Sequence, residues 1–109
     1  MQLFATPKQN CQSSHYCLNV ILGPKLAPAR FEIVGRLNGK CVGTSIYYPR
    51  PVPHMTYYRT KYGFDKDAFA NAAWISDSCI TLPVDPHLND EDMAYIADVL
   101  LATAEEFGA

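Results

Sequence analysis

Long apolar runs are missing from this sequence. None approaches the ~20 residues that a membrane helix requires. The opening residues, Met1-Gln2-Leu3-Phe4-Ala5-Thr6-Pro7-Lys8, lack the extended apolar stretch of a secretory signal. A cytoplasmic protein is the expectation. Cysteine is scarce and scattered. The four thiols at Cys11, Cys17, Cys41 and Cys79 include no C-x-x-C pair, and His15, His54 and His87 are not grouped near them. A structural zinc site needs closely spaced ligand pairs to fix its tetrahedral geometry, so no metal is expected. Cys17, Cys41 and Cys79 fall in strand-like runs, where a reduced cysteine serves as a small core residue. Repeats, low-complexity tracts and linkers are absent as well.

What remains is an ordinary globular composition. With 109 residues the chain fits a single domain over 1–109. An apolar content of 49% with 12% aromatics excludes a disordered chain, because burial can offset chain entropy. Charge is divided unevenly. Up to Lys66, nine cations meet only Glu32 and Asp65, a balance of +7, and the rest of the chain carries nine acids and no base. The net charge of −2 and a pI near 5.8 argue against a nucleic-acid surface. A positive N-terminal half suits a phosphorylated ligand or an acidic partner.

Periodicity supplies the elements. Tyr16 to Leu22 reads as a strand ended by Gly23-Pro24, with Tyr16, Leu18, Val20 and Leu22 on one face. A helix is predicted from about Pro28 to Asn38, with Phe31, Val34 and Leu37 inward and Asn38-Gly39 as a left-handed stop. Cys41 to Tyr47 reads as a second strand. Tyr48 to Met55 holds three alternate prolines, which remove backbone donors and predict a stiff extended loop. A short helix over Thr56 to Lys61, stopped at Gly63, and a helix over Asp67 to Asp77 follow, the latter with Phe69, Ala73 and Trp74 or Ser76 inward. Cys79 to Leu82 is a third strand. The last helix opens on Asn89 as N-cap, with Asp90, Glu91 and Asp92 in the first turn and an apolar stripe through Met93, Ile96, Ala97, Leu100, Ala104 and Phe107. The fold class is therefore α+β, a small, mainly antiparallel sheet of about three strands with helices packed on one face.

The segment Gly43-Thr44-Ser45-Ile46-Tyr47-Tyr48-Pro49-Arg50-Pro51-Val52-Pro53-His54-Met55-Thr56-Tyr57-Tyr58 is denser in chemistry than a core requires. Adjacent strand residues point to opposite faces, so only one of Tyr47 and Tyr48 can pack inward. Gly43, Thr44, Tyr48, Pro49, Pro51 and Tyr58 resemble a small-domain signature of the DegT/DnrJ/StrS-type aminotransferases. Leu82-Pro83-Val84-Asp85-Pro86-His87-Leu88-Asn89-Asp90-Glu91-Asp92 is similar to the segment that opens that family's last helix. The resemblance covers about residues 14–107 and points to the C-terminal small domain. Two positions depart from the pattern. Tyr47 stands where the family often has histidine, and Pro53 stands where it has a second one, with His54 one place later.

The resemblance implies a pyridoxal-phosphate (PLP) enzyme that moves an amino group to a keto-sugar on a nucleotide diphosphate; some relatives are dehydratases or regulators. Its large domain supplies the Schiff-base lysine and the acid that pairs with the pyridine nitrogen. Lys8, Lys25, Lys40, Lys61 and Lys66 match neither that lysine nor its serine-rich context, so no catalytic or cofactor-binding residue is assigned to this chain. Expected partners are the large PLP-binding domain of the same enzyme, a nucleotide-sugar substrate and a second copy in a full-length homodimer. Tyr47, Tyr48, Arg50 and His54 are the candidate substrate-binding residues, each with an ordinary alternative as a packed aromatic, a solvated arginine or a structural histidine. His87 and the acidic trio are assigned to structure. His15 beside two serines makes only a local pair, short of a nucleophilic triad. The alternative function is a free-standing α+β ligand-binding or oligomerisation module.

Overall fold

The apolar run around Val20 forms the middle of a three-stranded antiparallel sheet. The computed structural model describes residues 1–5, 8–65 and 67–108; Thr6, Pro7, Lys66 and Ala109 lie outside them. Strand β2 (Leu18–Ile21) pairs with β1 (Gln2–Leu3) on one side and with β3 (Cys79–Leu82) on the other. Val20 lies opposite both Leu3 and Ile80 in this register. The Leu22 amide extends the ladder by donating to the Ser78 carbonyl at 2.9 Å.

Helix α1 (Arg30–Gly39) follows a 3-10 turn over Ala27–Ala29, in which Pro28 occupies a first-turn position that needs no amide donor. Next come α2 (Thr56–Tyr62), α3 (Ala70–Ser78) and α4 (Asp90–Glu106). Val20, Ile80 and Leu82 from the sheet pack with Ile33 and Leu37 of α1 and with Ile96 of α4. Each fully buried side chain of this size contributes roughly 1.5–3 kcal/mol. Exposed links join the same two helices: Tyr95 Oη donates to the Lys40 carbonyl at 2.9 Å, and Lys40 Nζ pairs with Glu106 at 3.2 Å. Among the described residues, no helix is long and apolar enough to cross a membrane.

One buried cation ties α1 to the far side of the fold. Arg30 is 7% exposed, and its Nη1 donates to the Ser76 carbonyl at 2.5 Å and to the Cys79 carbonyl at 3.4 Å. Ser76 lies in the last turn of α3, where carbonyls lack helical partners and the helix dipole favours a positive charge.

The α+β class and antiparallel sheet agree with expectation, but one strand lies elsewhere. Cys41 to Tyr47 is not a strand and meets the sheet only through an isolated bridge between Ser45 and Thr81. The reason lies at the end of α1. The amides of Lys40, Cys41 and Val42 donate back to carbonyls of Arg36, Leu37 and Asn38, and the Thr44 amide donates to Asn38 Oδ1 at 3.2 Å. Those donors are spent before a ladder can begin. Cys41 (φ 61°), and not Gly39, makes the left-handed turn, and its thiol is exposed instead of buried in the core. The two-residue β1, too short to show a period, takes the vacant place in the sheet.

Several facing assignments also change. Phe31 is 71% exposed, under the Arg30 guanidinium, and the inward stripe of α1 runs through Arg30, Ile33 and Leu37. Tyr16 precedes β2 and is exposed. Phe69, with φ 62°, precedes α3 and is exposed, while Ser76 is buried. On α4, Ala97 is exposed, and Val99 and Thr103 join the buried face. The proline segment bends at Val52–His54 into a 3-10 turn, closed by the His54 amide on the Pro51 carbonyl at 2.9 Å. Pro53 sits in the first turn there, where a missing donor costs nothing.

The expected α4 cap is complete. Asn89 Oδ1 accepts from the amides of Glu91 and Asp92 at 2.8 and 3.0 Å, and Asp92 Oδ2 accepts from the Asn89 amide at 3.0 Å. Asn89→Ala should cost about 1 kcal/mol, measured by urea denaturation. A midpoint equal to that of the parent would contradict the role of the cap.

The thiols separate by exposure: Cys11 and Cys41 are exposed, Cys17 is intermediate and Cys79 is buried. Burial pushes the Cys79 thiol above its ordinary range, against a smaller lowering influence from Arg30. A raised folded value favours folding fully below about pH 8.5, and that contribution is lost as the pH climbs from there through the folded value. A thiol-reactive chromophore at pH 8 should label Cys11 and Cys41 first and Cys79 only on unfolding. Equal labelling rates at all four sites would refute this burial.

Candidate functional site

Two clefts flank the segment between α1 and α2. The first depends on the Ser45–Thr81 bridge, in which the Ser45 amide donates to Thr81 at 3.1 Å and the Thr81 amide donates back at 2.8 Å. This pair pins the chain two residues before Tyr47 to the outer edge of β3. Thr81 Oγ1 in turn donates to Asn19 Oδ1 at 2.5 Å, tying the same point to β2. Beyond the bridge, Ile46 turns partly inward while Tyr47 and Tyr48 are 49% and 61% exposed. Neither tyrosine is a packed core residue.

The rings make a short file. Tyr16 and Tyr47 centroids are 5.9 Å apart with planes tilted by 48°, and Tyr47 and Tyr48 are 6.3 Å apart. Tyr16, Tyr47, Gly43, Ser45, Thr81 and Pro83 line a cleft of about 270 Å³. The Tyr16 hydroxyl is pushed above its usual range, chiefly by the neighbouring Tyr47 and then by desolvation. It therefore stays protonated at neutral pH and can donate or accept a hydrogen bond.

The second cleft, of about 250 Å³, is lined by Arg50, Pro51, His54, Arg59 and Asp77. His54 is half-buried, and its Nε2 lies 2.6 Å from the Ala68 carbonyl. A carbonyl only accepts, so Nε2 carries the proton and the neutral ring leaves Nδ1 as an acceptor. This bond joins the proline segment to the stretch before α3. Beside it, an aromatic ladder runs along α2 and past it: Tyr58 stacks on Tyr62 at 6.2 Å with planes 12° apart, and Phe64 and Phe69 continue the file.

The structure thus divides the four residues singled out from the sequence. Tyr47 and Tyr48 stack together beside the first cleft, and Arg50 and His54 line the second. Tyr16, Arg59 and Asp77 were missed. Arg59 lies nine residues beyond Arg50 on the helix that follows the signature, a placement the sequence offered as a cue. Asp77 comes from α3, and no local pattern links it to Arg50. His15 and His87 are both exposed, and His87 Nε2 lies 3.9 Å from Asp85. Among the described residues, no group of three or more His, Cys, Asp or Glu side chains could hold a metal ion.

The family model for the DegT/DnrJ/EryC1/StrS aminotransferases matches residues 1–101. The chain belongs to this family. The uncharacterised protein MJ1066 of Methanocaldococcus jannaschii is 27% identical over 77 residues, which cover 71% of this chain and 20% of that protein. Among solved structures, PseC of Helicobacter pylori, an aminotransferase involved in the biosynthesis of pseudoaminic acid, superimposes with a TM-score of 0.77. The match has 21% identity and covers 86% of this chain and 24% of PseC, so it establishes a shared fold. The chain spans about a fifth to a quarter of the length of these relatives.

The bridge makes a specific prediction. Ser45→Pro removes one of its two donors and should cost about 1–3 kcal/mol. Amide exchange at Thr81 should accelerate and the near-ultraviolet tyrosine circular dichroism should weaken. Unchanged Thr81 protection would show that the segment is held by other contacts.

Proposed function

We propose that this chain acts as the small domain of a PLP-dependent aminotransferase, closing over a cleft in which a nucleotide-linked keto-sugar receives an amino group. The family match over residues 1–101 carries this reading. PseC, an aminotransferase in a pathway to pseudoaminic acid, supports an aminated sugar as the product class. The single domain then spans residues 1–109, works in the cytoplasm and assembles within a homodimer of the complete enzyme.

The described lysines do not fit the cofactor's needs. PLP supplies an electron sink once a lysine amine holds it. Lys8 and Lys25 are exposed, Lys40 is engaged with Glu106 at 3.2 Å, and Lys61 lies 3.2 Å from the Tyr57 hydroxyl, over the Tyr57 and Tyr62 rings. None of them lines either cleft beside the proline segment. In this reading the reactive lysine and the pyridine-binding acid belong to a large domain, and this chain contributes substrate contacts. Tyr47 and Tyr48 offer ring faces and hydroxyls to the sugar, His54 Nδ1 accepts from a sugar hydroxyl, and Arg50 faces the diphosphate.

A surface for the large domain is also present. Leu3 of β1 and Met93, Ala97 and Leu101 of α4 rim an apolar groove of about 320 Å³, and Leu3 and Leu101 are 61% and 55% exposed. Apolar grooves rimmed in this way mark docking surfaces. Borohydride reduction after incubation with PLP should leave no stoichiometric adduct on this chain. Glutamate with a nucleotide-linked keto-sugar should give no amino-sugar. A one-to-one adduct accompanied by turnover would overturn the proposal.

A further inference from the structure

We infer that Arg50 and Arg59 form a two-guanidinium oxyanion site, and that its ligand is the diphosphate of a sugar nucleotide. Arg50 stands on the proline segment and Arg59 on α2, and both line the cleft floored by Pro51 and His54. Among the described residues, neither guanidinium has a carboxylate within ion-pair distance, whereas Arg36 and Lys40 both reach Glu106. Asp77 is the one acid on the rim, which leaves the site with an excess of positive charge when His54 is neutral. Two planar guanidiniums facing one cleft suit an anion with oxygens on two centres, because each fork takes a pair of oxygens.

The surroundings hold the two arginines in place. Pro49, Pro51 and Pro53 stiffen the segment that carries Arg50, and the His54–Ala68 bond at 2.6 Å anchors its far end. Arg59 is fixed on the second turn of α2, where its amide donates to the Met55 carbonyl at 2.9 Å. Its carbonyl accepts from the Gly63 amide at 2.9 Å, at the left-handed cap of the helix. The anion therefore meets charges whose backbones are already placed, so less ordering is needed on binding. Asp77 sets a lower limit on ligand charge: a weakly charged anion gains little against its repulsion, and a diphosphate gains more.

The choice of ligand rests on the aminotransferase reading, while the anion site itself does not. The test is a titration of the isotopically labelled 109-residue chain, followed by nuclear magnetic resonance, with inorganic pyrophosphate and separately with a uridine-diphosphate sugar. Both ligands should shift the Arg50, Arg59 and His54 signals, and the sugar nucleotide should also shift Tyr47 and Tyr48. R59Q should weaken both by about tenfold, the scale of one charge-assisted contact, with unchanged circular dichroism. R50Q should act alike, D77N should tighten binding, and K25Q, remote from the cleft, should change neither. Pyrophosphate binding without any response to the sugar nucleotide would retain the anion site and sink its assignment to this substrate. Tyrosine shifts from the sugar nucleotide without arginine shifts would sink the anion site and leave the aminotransferase reading standing. Equal weakening by K25Q and R59Q would reduce the site to diffuse surface charge and overturn it.

Discussion

The pair of hydrogen bonds between Ser45 and Thr81 is the constraint from which the functional surface hangs. All four residues of β3 are buried, and β3 pairs along only one side with a full strand. Its other side is closed at a single point by Ser45. That point fixes where the chain leaves the sheet, and so where Tyr47, Tyr48 and the proline segment project. A longer pairing would have drawn the tyrosines into the sheet. A missing one would have left the segment tethered only at α1 and at His54.

Arg30 secures the same strand from the opposite end. A buried guanidinium normally needs a carboxylate, because the cost of desolvating it is high. Here two backbone carbonyls and the negative end of α3 take that role. The arrangement satisfies helix-terminal acceptors that water no longer reaches and fixes the angle at which α3 enters β3. Asp77 lies on the turn between these two anchors, so the geometry of the second cleft follows from a contact made deep in the fold. Thr103 differs. Its hydroxyl is buried without a described partner, and the structure gives no compensating contact for it.

Much of this architecture was legible in the sequence, and what was hidden has a common cause. Strong local signals held. Asn89 with its acidic first turn capped α4, Gly63 took the left-handed conformation that stops α2, and the apolar run at Val20 entered the sheet. The signature and the acidic helix start placed the family before any coordinates, and the matched residues 1–101 agree. The failures occurred where distant partners decide. Cys41 to Tyr47 has strand composition, but its early donors belong to the end of α1. Phe31 and Ile33 are both apolar, and only the position of the sheet selects Ile33. The second cleft draws Arg50, Arg59 and Asp77 from three elements, a grouping that no single stretch of sequence displays.

The lone tryptophan has an optical consequence. Trp74 is 44% exposed on α3 and lines a small hollow with Met1, Gln2, Ile21 and Pro24, where the N-terminal strand reaches the sheet. Its indole thus straddles water and protein at the seam of β1. Its emission wavelength becomes a built-in gauge of whether that first strand is docked, separable from the tyrosine signals of the two clefts.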